Sequence, residues 1–144
     1  MIDAKVEELL FRQHGDSRGQ LIALETESVD VPFLVKRCYY IFDTTPGTVR
    51  GHHAHKNLRQ VLVCVNGACT VDCEMPDGSV TTHVLDWQNK GLLIEGLVWR
   101  VMRNFSKGAV LLVLASDHYD EADYIRNYDE FKSVCMSLGE GVSI

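Results

Sequence analysis

The segment RGHHAHKNLRQ, residues 50–60, carries three histidines within four positions. Imidazole side chains can ligate a divalent metal, and they can also accept and return protons near neutral pH. If the segment is a β-strand, His53 and His55 point to one face and His52 points to the other. The spacing therefore predicts a paired-imidazole site, formed by His53 and His55, that serves either metal binding or proton transfer.

Two tyrosines in the segment KRCYYIF, residues 36–42, are a second source of chemistry. Tyr39 and Tyr40 are consecutive, so on a strand only one of them can face the same interior as the histidines. A phenol at that place can donate a hydrogen bond to a developing oxyanion. We name Tyr39 as the candidate catalytic tyrosine and Tyr40 as a candidate substrate contact.

The elements that must position these side chains are short strands. Turn signals such as Asn66-Gly67 and Pro76-Asp77-Gly78 divide the chain at regular intervals. Eight segments rich in β-branched or aromatic residues lie between the turns: residues 21–25, 35–42, 58–67, 68–75, 79–86, 91–96, 98–105 and 109–116. This spacing predicts an all-β barrel or sandwich closed by hairpins.

Only in the C-terminal region do large side chains recur at the spacing of a helix instead of that of a strand. Four residues recur there at helical spacing: Tyr124, Tyr128, Phe131 and Cys135. The pattern predicts one helix over about residues 120–138, packed against the barrel. Three acidic residues at its start, Asp120, Glu121 and Asp123, are interpreted as capping and dipole partners of that helix.

Length and charge restrict the class of protein. We predict one domain over residues 1–144, because this length suits a single core. The net charge is −6 and the 14 lysines and arginines are scattered, which argues against a nucleic-acid partner. No apolar run approaches the ~20 residues of a membrane span, and the start MIDAKVEELLFRQ is too charged for a signal peptide. We therefore predict a cytoplasmic protein without a membrane partner.

Cysteine spacing gives no sign of a structural metal or a disulfide framework. The five cysteines are Cys38, Cys64, Cys69, Cys73 and Cys135. Their number is odd, no CxxC pair occurs, and the middle three lie in apolar segments. We interpret them as reduced thiols that mostly pack in the interior.

Around the histidines, the sequence resembles the first motif of the cupin superfamily. Its order is Gly47, five residues, His53, one residue, His55, four residues, Gln60, six residues and Gly67. The cupin motif carries a metal-ligating carboxylate where this chain has Gln60. The resemblance implies a cupin-type jelly-roll barrel or sandwich.

The second cupin motif of this chain also lacks a metal ligand. Within GLLIEGLVWRVMRN, residues 91–104, Arg100 stands where cupins carry a metal-ligating histidine. A guanidinium is permanently charged and has no lone pair to offer a metal. Two of the four cupin ligands are therefore replaced, and we predict that His53 and His55 hold no metal.

A narrower resemblance runs from about Asp16 to Phe131. The strings RGHHAHKNLRQVLVCVNG, KRCYYIFDT, LVWRVM and LVLASDHYDEADYIRNYDEF resemble the dTDP-4-keto-6-deoxyglucose 3,4-ketoisomerases, which prepare 3-amino-3,6-dideoxyhexoses for bacterial surface glycans. The resemblance implies a homodimer, a dTDP-linked 4-keto-6-deoxyhexose as substrate, and neither metal nor cofactor. Many members carry histidine at the position of Arg100, so this chain departs from the family there.

In such an enzyme the histidine pair transfers protons through an enediol intermediate. An unperturbed pKa near ~6.5 lets imidazole accept and return a proton near neutral pH. The division of steps between His53 and His55 stays open, with a preference for His53 as the base that removes the C3 proton. The configuration at C4 of the product, galacto or gluco, stays open too.

The diphosphate of the substrate requires cations, because guanidinium pairs with phosphate oxygens. Five are candidates: Arg37, Arg50, Lys56, Arg100 and Arg103. Arg50, which adjoins the histidines, and Arg100, which occupies a cavity-facing cupin position, are preferred. Arg18 in the turn GDSRGQ, together with Gln60 and Tyr40, completes the candidate substrate contacts.

Three other functions stay open. A non-catalytic sugar-nucleotide-binding cupin would bind dTDP and exchange no proton. Nucleotide-sugar 3,5-epimerases also use a cupin barrel with histidine and tyrosine, but the resemblance to them stops at the D-x-R-G turn of residues 16–19. A metal-dependent cupin oxygenase or isomerase is distinguished by its metal content.

Overall fold

The structure, a computed structural model that describes residues 1–140, consists mainly of β-strands. The strands are β1 Lys5–Leu10, β2 Gln13–Asp16, β3 Gly19–Ile22, β4 Arg37–Ile41, β5 Arg50–His55, β6 Arg59–Asn66, β7 Cys69–Glu74, β8 Val80–Leu85, β9 Lys90–Glu95, β10 Trp99–Arg103, β11 Val110–Ala115 and β12 Tyr124–Ile125. A 3₁₀ turn, Glu121–Asp123, precedes β12, and helix α1, Tyr128–Glu140, follows it. Residues 141–144 of the predicted domain lie outside the described residues.

Two five-stranded antiparallel sheets form the body of the fold. One has the strand order β1-β9-β6-β11-β4, the other β12-β5-β10-β7-β8, and β2 and β3 form a separate hairpin. Side chains from the inner faces of both sheets, among them Leu62, Val71, Ile94 and Leu111, form the main core. The predicted all-β jelly roll with one C-terminal helix is confirmed.

Strand β6 shows why these segments become strands. Its side chains at 60, 62 and 64 point into the barrel, while Val61 and Val63 point outward and are buried in a second cluster with Phe11 and Phe33. Because both faces are covered, the strand is almost continuously apolar. Gln60 is therefore a polar residue on the inner face of a central strand.

The N-terminal strands differ from the prediction. β1 and β2 were not predicted, and the predicted strand 21–25 is replaced by β3, which ends at Ile22. β1 is an edge strand that pairs only with β9 and exposes most of its charged side chains. Charged edge strands lack the clear apolar alternation by which a strand is found in a sequence.

The C-terminal helix begins later than predicted. Asp120 caps only the single 3₁₀ turn, by accepting a hydrogen bond from the Ala122 N–H at 3.0 Å. Tyr124 and Ile125 then pair with β5 as a strand, because this buries Ile125 fully between the sheet and helix α1. The predicted start near residue 120 is therefore wrong, and α1 begins at Tyr128, where the Asn127 side chain accepts a hydrogen bond from the Glu130 N–H.

Helix α1 covers the outer side of the strands that carry the histidines. Its Phe131 and Cys135 pack against Ala54, Trp99 and Ile125, on β5, β10 and β12 respectively. This cluster holds β5 in place through the face of the strand that is turned away from the barrel interior. Within residues 1–140, no helix is long and apolar enough to cross a membrane.

The cysteines are free thiols, as predicted. Four of them are buried, and Cys38 is exposed. A buried thiol behaves as a small apolar side chain, so these four contribute to packing.

Candidate active site

A β-bulge in β5 orients the three histidines. Arg100 of β10 pairs with His53, but the next pair is Val101 with Gly51, so His52 is the extra residue. Gly51 and His52 both have positive φ, at 91° and 52°, and a Cβ on residue 51 would lie 2.7 Å from the Arg100 carbonyl oxygen. Glycine is therefore required there. The bulge leaves His52 exposed and turns His53 toward the interior.

His53 and His55 lie together, as strand alternation predicts. Their ring centroids are 4.9 Å apart with the rings nearly perpendicular. The Tyr124 ring covers both, at 5.1 Å from His53 and 4.3 Å from His55. His55 is completely buried, whereas His53 is partly open. The two imidazoles therefore share one compartment, with His53 nearer to solvent.

The two nitrogens of His55 have different surroundings. Nδ1 lies 3.1 Å from Oδ2 of Asp123, whose Oδ1 accepts the Asn57 N–H at 2.8 Å. Nε2 is buried and has no hydrogen-bond partner. A carboxylate thus orients this imidazole from one side and leaves its other nitrogen unused.

Arg100, Gln60 and Tyr39 form a hydrogen-bonded chain inside the barrel. The Arg100 guanidinium, 2% exposed, donates to Oε1 of Gln60 at 2.5 Å and to the Val98 carbonyl at 3.1 Å. Gln60 Nε2 in turn donates to the Tyr39 hydroxyl oxygen at 3.0 Å. Since Gln60 supplies the donor, the Tyr39 hydroxyl keeps its own proton for another acceptor.

Burial and the charge of Arg100 together determine the protonation of the neighbouring histidines. Burial, together with the charge of Arg100, lowers the pKa of His53 to about 4. The same two causes lower the pKa of His55, and burial raises the pKa of Tyr39. At neutral pH both imidazoles are therefore uncharged and the phenol keeps its proton.

A cavity of about 350 Å³ opens beside these groups. It is lined by Arg37, Tyr39, Ile41, Arg50, Gly51, His53, Met102, Tyr119, Tyr124 and Arg126. Arg126 forms an ion pair with Glu121, whereas Arg37 and Arg50 have no carboxylate partner among the described residues. The cavity thus joins an uncharged imidazole and a phenol to two unpaired guanidinium groups.

Comparison with known proteins identifies the family of this chain. The family model described as FdtA (WxcM-like, C-terminal) matches residues 4–136. The chain belongs to the FdtA/WxcM-like family. A curated relative, the TDP-4-oxo-6-deoxy-alpha-D-glucose-3,4-oxoisomerase of Aneurinibacillus thermoaerophilus, is 51% identical over 129 residues, which are 89% of this chain and 91% of the relative.

Two solved structures are similar to this FdtA/WxcM-like chain over most of their length. The TDP-quinovose 3,4-ketoisomerase WlaRB of Campylobacter jejuni is 51% identical, with a TM-score of 0.84 over 89% of this chain and 97% of the other. A histidine-to-asparagine mutant of the 3,4-ketoisomerase QdtA of Thermoanaerobacterium thermosaccharolyticum, in complex with TDP-4-keto-6-deoxyglucose, is 42% identical. Its TM-score is 0.87 over 92% of this chain and 94% of the other.

Seven of the predicted site residues of this FdtA/WxcM-like protein lie at the cavity or directly behind it. His53, Tyr39, Arg37 and Arg50 line it, while Gln60 and Arg100 lie behind Tyr39. His55 is behind His53. Arg100 is placed differently from the predicted diphosphate contact, because its side chain is buried and its donors turn to Gln60 and a backbone carbonyl.

Four other predicted substrate contacts are not brought to the cavity. Tyr40 is on the opposite face of β4, 61% exposed. Arg103 pairs with Asp72, and Arg18 pairs with Asp16 in the turn between β2 and β3. Lys56 donates to the Ala122 carbonyl and does not line the cavity.

The segment 119–126 contributes residues that the sequence analysis missed. Tyr119, Tyr124 and Arg126 line the cavity, and Asp123 holds His55. The helix predicted there assigned Asp123 a capping role. The available signal was the string DYIR at residues 123–126, in which Tyr124 and Arg126 alternate with the buried Ile125 as they do on a strand.

Proposed function

We propose that the protein is a dTDP-hexopyranose 3,4-ketoisomerase, an enzyme that moves the keto group of dTDP-4-keto-6-deoxyglucose from C4 to C3. The observation that carries the proposal is a single cavity lined by the uncharged His53, by Tyr39 and by two unpaired guanidinium groups. The relatives named above act on, or were crystallised with, this type of sugar nucleotide. The product would serve 3-amino-3,6-dideoxyhexose synthesis.

Proton transfer by His53 accounts for the first step. The C3 proton is acidic because it is next to the C4 carbonyl. His53 takes that proton, the C3–H electron pair forms a C3=C4 double bond, and the C4 oxygen receives a hydrogen bond or proton from Tyr39. The proton on His53 is then delivered to C4, and the proton that leaves the C3 oxygen replaces the one given up by Tyr39, so the 3-keto product forms with no net change in protons.

Arg100 supports this chemistry from behind the cavity. Its charge helps to keep His53 neutral, so that the imidazole is ready to accept a proton. The same charge lowers the energy of the negative oxygen that develops on the enediolate, and it acts through Gln60 and Tyr39. A preformed cation in a buried place needs no reorganisation during the reaction.

Activity without a metal is the first test. We expect exhaustively chelated protein to convert dTDP-4-keto-6-deoxyglucose at an unchanged rate, because the Arg100 cation occupies the interior beside both histidines. NMR of the sugar ring follows the conversion, and elemental analysis gives the metal content. Loss of activity that one specific divalent ion restores would contradict metal-independent catalysis.

Arg50 is the expected diphosphate contact, since it lines the cavity and has no ion-pair partner among residues 1–140. We expect Arg50→Ala to weaken dTDP binding about tenfold or more, because a charge-assisted hydrogen bond contributes about 1.5–3 kcal/mol. Calorimetric titration measures the change. Arg103→Ala is the matched control and should leave the affinity unchanged, since Arg103 pairs with Asp72 away from the cavity. If Arg50→Ala binds dTDP as tightly as Arg103→Ala does, the diphosphate does not contact Arg50.

A homodimer is part of the proposal, and an apolar surface supports it. We define the outer apolar face as Leu21, Tyr40, Phe42, Val65, Trp87 and Leu112. Tyr40 lies directly opposite Leu112 on the neighbouring strand, and Leu21, Val65, Trp87 and Leu112 line a groove of about 430 Å³. A second copy would cover these uncharged side chains without needing a complementary charge.

Substitution within this face tests the dimer. We expect the protein to have twice the mass of one chain by light scattering, and Val65→Arg to be monomeric, because the new charge would be buried in the contact. Val84→Arg is the matched control: Val84 is 50% exposed on β8 of the other sheet, so this variant should stay dimeric. A Val65→Arg dimer, or a monomeric parent protein, would contradict this interface.

A cytoplasmic location belongs to the same proposal. The five cysteines are free, and thiols persist where the compartment is reducing. Sugar-nucleotide substrates of this kind are soluble metabolites, and the proposed reaction needs only the substrate.

A further inference from the structure

The sequence pattern predicts only a helix-capping role for Asp123, yet its side chain contacts the buried imidazole of His55. We propose that Asp123 is a positioning residue that fixes His55 as the tautomer with its proton on Nδ1, which leaves the Nε2 lone pair as an acceptor inside the barrel. Building on the proposed function, that acceptor serves the second proton of the reaction, the one that leaves the C3 oxygen when the keto group moves.

The hydrogen bonds of the carboxylate determine the tautomer. Oδ1 of Asp123 accepts the Asn57 N–H at 2.8 Å, and Oδ2 lies 3.1 Å from Nδ1 of His55. A carboxylate only accepts, so the proton in the second contact belongs to the imidazole. Burial and the charge of Arg100 lower the pKa of His55, so the ring carries one proton and Nε2 carries none.

The surroundings of the Nε2 atom of His55 also indicate that this nitrogen serves a ligand. His55 is 0% exposed, and its Nε2 is a buried nitrogen without any hydrogen-bond partner. Buried polar atoms are normally paired, and those left unpaired in a native structure call for a functional explanation. Tyr124, which lines the cavity, packs against this ring at 4.3 Å, so His55 lies within one side chain of the substrate space.

Backbone contacts hold Asp123 in place independently of its side chain. The Lys56 N–H donates to the Asp123 carbonyl at 3.0 Å, and the Asp123 N–H donates to the Asp120 carbonyl at 3.1 Å. The next residue, Tyr124, pairs with His55 between β12 and β5. A change confined to the carboxylate is therefore expected to leave the backbone and the fold intact.

Asp123→Asn makes a sharp test, because the amide has only one oxygen. That oxygen must accept the Asn57 N–H, so the NH₂ group faces His55 and donates to Nδ1. The proton of His55 must then move to Nε2, and the acceptor inside the barrel is lost. Long-range ¹H–¹⁵N NMR of histidine-labelled protein distinguishes the two tautomers, and His55→Asn identifies the resonances of His55.

We expect the Nδ1–H tautomer in the parent protein and the Nε2–H tautomer in Asp123→Asn, with kcat reduced at least about tenfold and dTDP affinity unchanged. Asp120→Asn is the matched control, since Asp120 caps the 3₁₀ turn without contacting His55, and it should change neither tautomer nor rate. An Nε2–H tautomer in the parent protein, an unchanged tautomer in Asp123→Asn, or a changed tautomer with full kcat would overturn the inference. The NMR result needs no substrate, so a parent protein without isomerase activity would refute the proposed function separately from the tautomer assignment.

Discussion

Replacement of His53 by Asn is expected to lower kcat by about 10²–10⁴, because the variant removes the general base at C3. His53 is the imidazole that lines the cavity, and its position beside Arg100 is set by the bulge in β5. Asparagine keeps a polar side chain of similar reach, so the fold and the dTDP affinity should persist. Initial rates by NMR, together with calorimetric titration, measure both quantities.

His52→Asn is the matched control for this prediction. His52 is exposed and has a φ of 52°, a conformation that asparagine tolerates well, so its activity should equal that of the parent protein. Full activity in His53→Asn, or an inactive His52→Asn, would refute the assignment of the base.

The pH dependence gives a further check on His53. The base must be neutral to accept the C3 proton, and the pKa of His53 is lowered to about 4 by burial and by Arg100. We therefore expect kcat/KM to stay level as the pH falls through 6.5 and to decline only near pH 4. A decline centred near pH 6.5 that is absent from His53→Asn would contradict the lowered pKa of His53.

Tyr39→Phe is expected to lower kcat by about 10²–10³ with little change in KM, because one donor to the developing oxyanion is removed. The hydroxyl of Tyr39 accepts from Gln60 at 3.0 Å, which leaves its proton for the substrate oxygen. Phenylalanine fills the same space, so packing around Arg37 and Ile41 should be preserved. Steady-state kinetics on the keto sugar separate the effect on kcat from that on KM.

Tyr40→Phe provides the comparison at the adjacent position. Tyr40 is on the outer face of β4, so losing its hydroxyl should leave the kinetics unchanged. Equal kinetics in Tyr39→Phe and the parent protein would mean that another group stabilises the oxyanion.

Much of the barrel could be predicted from the sequence because turns and strand alternation are local properties. Segments such as 58–67 and 109–116 are apolar, β-branched and bounded by glycine turns, and they become β6 and β11. The same alternation correctly brought His53 and His55 together and turned Tyr40 away from Tyr39. These inferences need only the two-residue period of a strand.

Contacts between distant segments could not be predicted in the same way. Asp123 meets His55 across 68 positions of sequence, and only the pairing of β12 with β5 brings them together. Tyr124 to Cys135 share a helical spacing, yet burial of Ile125 beneath helix α1 makes the first part of that region a strand. Tertiary packing overrode the local pattern there.

For Arg100, the sequence motif predicted the location of the residue but not the direction of its side chain. Its cupin position correctly indicated an interior location, but the predicted diphosphate contact assumed that the guanidinium reaches the cavity. Its side chain instead turns to Gln60 and the Val98 carbonyl, since a buried cation needs acceptors close by. Which acceptors lie within reach is decided by the three-dimensional arrangement of β6, β10 and the turn that leads into β10.

Incubation of the purified protein with dTDP-4-keto-6-deoxyglucose in deuterated water, followed by NMR of the sugar ring, tests the central claim most directly. We predict loss of the C3 proton, a carbonyl at C3, a proton or deuteron on C4, and an unchanged C5 proton. Exchange at C3 or C5 with the keto group still at C4 would instead identify an epimerase. Bound dTDP without any exchange would identify a non-catalytic sugar-nucleotide-binding protein, and either outcome would contradict the ketoisomerase function.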